Sequence, residues 1–161
     1  MCGIAGILDW NVPPDVRTLN RMTDALVHRG PDAGAVIDIG AIALGHRRLA
    51  IIDLNERANQ PMHDSDSGAW IVFNGEIYNY ADIRRELESR GIRFRTESDT
   101  EVILKAYIEF GDRCLERLNG MFAMAIWDEA KQRLFLARDR AGEKPLYYIW
   151  LKSGAFAFAS E

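Results

Sequence analysis

The chain has 161 residues, 48% apolar and 27% charged, with 20 Lys and Arg against 24 Asp and Glu and a formal net charge of −4. That is the size and make-up of a single globular domain. The acidic balance argues against a nucleic-acid-binding face, and no apolar run approaches the roughly 20 residues of a membrane span. The two cysteines, Cys2 and Cys114, lie far apart and make no disulfide framework, so a reducing cytoplasmic compartment is expected. The opening MCGIAGILDW has neither the basic segment nor the cleavage pattern of a signal peptide.

In chain order, Met1 to Leu8 is a short apolar run with Gly3 and Gly6 inside it and reads as a buried strand. Val16, Leu19, Met22 and Leu26 recur at helical spacing, which predicts an amphipathic helix over Asp15 to Val27. It should stop at His28-Arg29-Gly30-Pro31-Asp32, where Gly30 can take helix-ending angles. Ala35 to Asp53 reads as strands broken at Gly40 and Gly45, and Asn55 to Gly68 as polar turns. Ala69 to Phe73 is a further strand running into Asn74-Gly75, a strong turn signal. Tyr80 to Arg90 reads as a helix closed by Gly91. Its arginines Arg84, Arg85 and Arg90, with Arg93 and Arg95 beyond, are interleaved with glutamates, as on a solvated face. Ser98-Asp99-Thr100-Glu101 matches a capping box ahead of the apolar face Val102, Ile103, Ala106, Tyr107 and Phe110. A short helix follows from Cys114 to Leu118. The last third is β-rich: Met121 to Trp127, Leu134 to Ala137, Leu146 to Leu151 and Phe156 to Ala159, separated by turns. Strands and helices come in blocks, which favours stacked antiparallel sheets with helices outside over a parallel βαβ sheet.

Cys2 has the position of chemical interest. Met1 ahead of a small residue is expected to be removed, leaving thiol and α-amine on one residue. An α-amine with pKa near 7.7 to 8.0 can serve as the base that activates the thiol. Read alone, Cys2 fits better as a small buried residue of the first strand, and Asn74-Gly75 as a plain hairpin turn. The histidines His28, His46 and His63 show no metal-ligand spacing relative to either cysteine, so no metal site is expected.

Seven ordered blocks change that balance: CGIAGI from Cys2, HRGPD from His28, GHRRLAIID from Gly45, NGEIYN from Asn74, SDTEV from Ser98, GMFAMAIW from Gly120 and RDRAGEKPLYY from Arg138. Together they resemble class II glutamine amidotransferases. The NGEIYN and RDRAGEKPLYY blocks look most like the N-terminal domain of glutamine-hydrolysing asparagine synthetases. The resemblance implies an α+β fold of N-terminal nucleophile hydrolase type, a four-layer α/β/β/α sandwich of two antiparallel sheets. It implies that residues 1–161 are a glutaminase domain whose substrate is L-glutamine. Cys2 would be the nucleophile, and Asn74 through its side-chain amide and Gly75 through its backbone N–H would hold the oxyanion.

By the same resemblance Arg48 would grip the substrate α-carboxylate, as a guanidinium does with two parallel hydrogen bonds. Arg47 is its rival, but neighbours in an extended segment face opposite ways. Leu49 and Ile52 would line the pocket. Asp99, and Glu76 by side chain or backbone, would face the α-ammonium, although an acid in a first helical turn is favourable on its own account. No cofactor is implied for this domain; ATP and magnesium would belong to a C-terminal synthetase domain, or a subunit, that accepts the ammonia and is absent from this chain. The apolar residues of Gly142 to Tyr148 would lie near that boundary, and their exposure favours self-association, such as a homodimer. The rival readings are a relative with a sugar or peptide acceptor, a non-catalytic glutamine-binding module, and an acylase of other amides.

Overall fold

A computed structural model describes all of residues 1–161. Nine strands form two antiparallel sheets, and three α-helices pack outside them. The first sheet contains β1 (Gly3–Leu8), β2 (Ala33–Asp38), β3 (Ile42–Arg48), β8 (Tyr147–Trp150) and β9 (Phe156–Ala159), in the order β2-β3-β1-β9-β8. The second contains β4 (Met62–Asp64), β5 (Ala69–Ile77), β6 (Gly120–Asp128) and β7 (Arg133–Arg138), in the order β4-β5-β6-β7. Helix α1 (Val16–Ala25) packs on the first sheet; α2 (Tyr80–Ser89) and α3 (Asp99–Phe110) pack together, with α3 against β5. The expected α/β/β/α layering is therefore the one observed.

Strand alternation explains why three separate cores form. In β1, Ile4 and Leu8 face the other sheet while Ala5 and Ile7 face α1. In β3, Ile42 and Leu44 face inward and Ala43 faces α1. In β5 and β6, Val72, Ala123, Ala125 and Trp127 join the inter-sheet core, whereas Ile71, Phe73, Met124 and Ile126 pack under α2 and α3 with Ile103 and Tyr107. Each sheet is thus buried on both faces at its centre, and the strands read as nearly continuous apolar runs.

Several local expectations change. Asn74-Gly75 is not a turn: β5 runs on to Ile77, because β6 pairs with it without interruption from Ala69↔Asp128 to Ile77↔Gly120. A Cβ on Gly75 would lie 2.2 Å from the Met121 carbonyl oxygen and 2.7 Å from the Phe122 Cα, so glycine is there for close strand approach. Gly30 likewise does not end α1, which stops at Ala25. A Cβ on Gly30 would meet the Arg47 backbone at 2.4 Å. The three-residue strand β4 falls within the stretch expected to be turns. The segment around Cys114 is a 3-10 turn over Gly111–Glu116. Only half of the capping box forms: the Ser98 hydroxyl accepts from the Glu101 N–H at 3.3 Å, while the Glu101 carboxylate takes the Arg95 and Thr96 N–H groups instead of that of Ser98. No helix is long and apolar enough to cross a membrane. The exposed apolar strip lies on β8, at Tyr147, Tyr148, Ile149 and Trp150, slightly beyond where it was expected.

Candidate active site

The inward-facing alternation that builds the inter-sheet core continues past its end. On β3 it runs Ile42, Leu44, His46, Arg48; on β5, Val72, Asn74, Glu76; on β6, Met121 precedes Ala123; on β1, Cys2 precedes Ile4. The apolar positions form the core, and the next positions along each strand line a cleft at one end of the sandwich. Cys2, Arg48, Leu49, Ile52, Asn74, Gly75, Glu76 and Asp99 all line this one cleft. The eight residues expected at a site are therefore brought together. Arg47 is not among them: it points the other way and bonds the Thr23 carbonyl and the Asp24 carboxylate on the α1 side.

Cys2 is half-buried. Its Sγ receives the Leu49 N–H at 3.4 Å and donates to the Leu49 carbonyl at 3.7 Å. Burial pushes the thiol above its ordinary value, against the lowering pull of the Leu49 hydrogen bond, the N-terminal charge and Arg48. A thiol held in this state needs a base close by to become a nucleophile. The Cys2 carbonyl accepts from the Nε–H of Arg29 at 3.0 Å, a contact that local sequence gave no means to predict.

Asn74 is 1% exposed, yet its side-chain Nδ2 has no hydrogen-bond partner. A buried donor left unpaired is costly and calls for an acceptor. Gly75 supplies a second donor to the same place. The Phe73 N–H is taken by Gln60 Oε1 at 2.6 Å and the Ile77 N–H by Asp99 Oδ2 at 3.1 Å, both off the β5 edge beyond the end of β4. N–H groups alternate in direction along a strand, so that of Gly75 points off the same edge, between those two.

Arg48 is 6% exposed and has no carboxylate partner; its terminal N–H groups go to the carbonyls of Ile52, Asp53 and Asn55 and to Asn59 Oδ1. Asp99 is 5% exposed and has no cationic partner. Burial, with the nearby Glu76 charge adding to it, raises its carboxyl to about 6. Buried charges are normally paired. Here a lone cation and a lone anion line one cleft, an arrangement complementary to a zwitterion. Glu76 lies at the rim with an exposed side chain.

Three further residues escaped the sequence reading. Gln60 bridges β5 to α3, its Nε2 donating to the Thr100 hydroxyl at 3.1 Å. Lys144 is 5% exposed at the cleft, with Nζ 2.9 Å from the Met1 sulfur. Asp139 shapes the Lys144 loop by accepting the N–H groups of Phe122, Glu143 and Lys144. His46 sits within β3, and its Nε2–H donates to the Phe73 carbonyl at 3.2 Å across the two sheets. Burial lowers its pKa to about 4, so it is neutral.

A family model described as a glutamine amidotransferase domain matches residues 1–161. Asparagine synthetase [glutamine-hydrolyzing] 3 of Bacillus subtilis is 45% identical over 165 residues, which cover 100% of this chain and 26% of that protein. The putative asparagine synthetase [glutamine-hydrolyzing] 2 of Methanocaldococcus jannaschii is 40% identical over 100% of this chain and 34% of its own length. Amidase chyE of Penicillium rubens is 41% identical over 92% of this chain and 24% of its own. The chain thus spans about a quarter to a third of the length of these relatives. The solved structure of glutamine phosphoribosylpyrophosphate amidotransferase from B. subtilis superposes with a TM-score of 0.83 at 24% identity, over 99% of this chain and 42% of that one, and so shares its fold. The chain belongs to the class II glutamine amidotransferase domain family, with the N-terminal nucleophile hydrolase fold.

Proposed function

We propose that this domain hydrolyses the side-chain amide of L-glutamine to glutamate and ammonia through a Cys2 thioester. The observation that carries the reading is the cleft's charge pattern: unpaired Arg48 and unpaired Asp99 line the cleft that also holds a thiol and an unpartnered Asn74 amide. Arg48 and Asp99 suit the α-carboxylate and α-ammonium of a free amino acid. Once Met1 is removed, the Cys2 α-amine takes the thiol proton and sulfur attacks the amide carbon. The oxyanion lies between the Asn74 Nδ2 and the Gly75 N–H, preorganised donors of the kind that lowers such barriers. The tetrahedral intermediate collapses as the protonated Cys2 amine returns that proton to the leaving nitrogen, releasing ammonia. Water, deprotonated by the same amine, then hydrolyses the thioester to glutamate. Leu49 fixes the sulfur, Ile52 and Glu76 complete the walls, and none of these steps asks for a metal or cofactor.

In the same reading the ammonia passes to an ATP- and magnesium-dependent synthetase unit that converts aspartate to asparagine, as the names of the first relatives suggest. The exposed β8 strip is the surface offered to such a unit or to a second copy in a homodimer. Two free, unpaired cysteines accord with a cytoplasmic setting. The test is covalent: the processed chain is treated with a glutamine analogue carrying an electrophile at the amide position, and the adduct is located by mass spectrometry. Labelling at Cys2 that glutamine blocks is the expected result; labelling elsewhere, or no protection by glutamine, refutes the reading.

A further inference from the structure

We infer that Glu161 is a positioning residue for the nucleophile, acting through Arg29; the inference rests on the glutaminase reading of the Cys2 cleft. The end of β9 lies alongside the start of β1. The Ser160 N–H donates to the Ile4 carbonyl at 2.9 Å and the Ser160 hydroxyl accepts the Ile4 N–H at 3.0 Å. This places Glu161 next to the segment that carries Cys2. Its Oε1 lies 2.7 Å from an Arg29 terminal nitrogen and 3.1 Å from His28 Nε2. Arg29 in turn gives its Nε–H to the Cys2 carbonyl at 3.0 Å.

The Arg29 side chain is only 9% exposed, and Glu161 is its one carboxylate partner. Its remaining terminal nitrogen is buried without any partner. Two bonds therefore hold this guanidinium through its side chain, one to Glu161 and one to the nucleophile's own backbone. Removal of Glu161 leaves a nearly buried cation without a counter-ion, which draws Arg29 toward solvent and away from the Cys2 carbonyl. Cys2 has no residue before it once Met1 is gone, so this carbonyl clamp is a main restraint on where the thiol and the amine sit. Small misplacements at a reacting centre cost roughly 100-fold in rate. Substrate contacts at Arg48 and Asp99 are untouched, so the loss should fall on kcat.

The test uses the chain with Met1 removed and the variants Glu161→Ala, Glu161→Gln and Glu161→Asp. Glu161→Ala is expected to lower glutaminase kcat by about 10- to 100-fold with KM within about twofold of wild type. The maximal rate of Cys2 labelling by the electrophilic glutamine analogue should fall in parallel, its half-saturating concentration unchanged. Glu161→Asp, which keeps the charge, should recover part of the loss. If the alanine variant does not fold, Glu161→Gln carries the test, with an expected drop in kcat of about threefold or more at constant KM. An active wild type with an unchanged kcat in the variants, or a loss expressed in KM alone, overturns the inference. A wild-type chain inert toward both glutamine and the analogue overturns the glutaminase reading itself, and this inference with it.

Discussion

Replacing Asp99 with asparagine should stabilise the fold while removing glutamine turnover. Asp99 is a buried acid with backbone N–H groups but no cation for partners, the Ile77 N–H at 3.1 Å among them, and burial lifts its carboxyl from 3.8 to about 6. At roughly 1.36 kcal/mol per pH unit, keeping it ionised costs the folded state about 3 kcal/mol above pH 7. Asparagine retains an oxygen for the Ile77 N–H and carries no charge. Between about 4 and 6 the folded chain binds a proton that the unfolded chain has released. The stability tied to this group is therefore present below 3.8 and is lost as pH rises through about 6. Asp99→Asn should accordingly exceed wild type by up to about 3 kcal/mol in urea unfolding at pH 8, and the gap should close as pH falls toward 4. In glutaminase assays kcat/KM should drop at least about 30-fold, the loss expected when one member of a buried charge pair is removed, at 2 kcal/mol or more. A variant no more stable than wild type at pH 8 would show that Asp99 is not an uncompensated charge in the free domain and would sink the argument for an ammonium site.

The remaining predictions follow the same geometry. Asn74→Ala should lower kcat by about 100- to 1,000-fold with little change in KM, and its melting temperature should not fall, because the lost amide nitrogen had no partner. Arg48→Lys should lower kcat/KM chiefly through KM, since an ammonium cannot reproduce the bonds to Ile52, Asp53, Asn55 and Asn59 that hold the guanidinium charge at the cleft; steady-state kinetics reads this directly. A chain that keeps Met1 or carries an N-terminal tag should be folded by circular dichroism and inactive, because its base is acylated; full activity in that form would refute the proposed proton transfers. In the wild type, kcat/KM should decline below about pH 6 as Asp99 takes up its proton, and a profile flat to pH 5 would contradict that assignment.

The layered fold was legible from order and alternation, which a sequence displays, whereas the eight cleft residues came from the resemblance carried by the seven blocks. Alternation required only that Arg47 and Arg48 face opposite ways, and the resemblance named Arg48; one strand position separates the cleft from the α1 face. Asn74-Gly75 misled because its local turn preference is strong, and only the distant pairing with Gly120 to Ala123 overrides it. Gln60 gave no signal, and Lys144 none beyond its place in the RDRAGEKPLYY block, for a related reason. Gln60 matters through bonds to Phe73 and Thr100, and Lys144 lies against Met1, at the far end of the chain. Such contacts have no period to read. The half-formed capping box shows a third limit: Glu101 found better donors in the preceding loop, at Arg95 and Thr96, than the motif prescribes.

Since the cleft is the continuation of the inter-sheet core along the same strand faces, folding and assembly of the site are a single event. A one-residue slip of β3 or β5 would exchange Arg48 for Arg47, or Asn74 for a neighbour, and in the same stroke turn Leu44 or Val72 out of the core. No well-packed chain with a scrambled site is available to this topology. Refolding experiments can exploit this: catalytic turnover should return in step with burial of Trp127, a fully buried member of that core, and ammonia release becomes a reporter of strand register that needs no added probe.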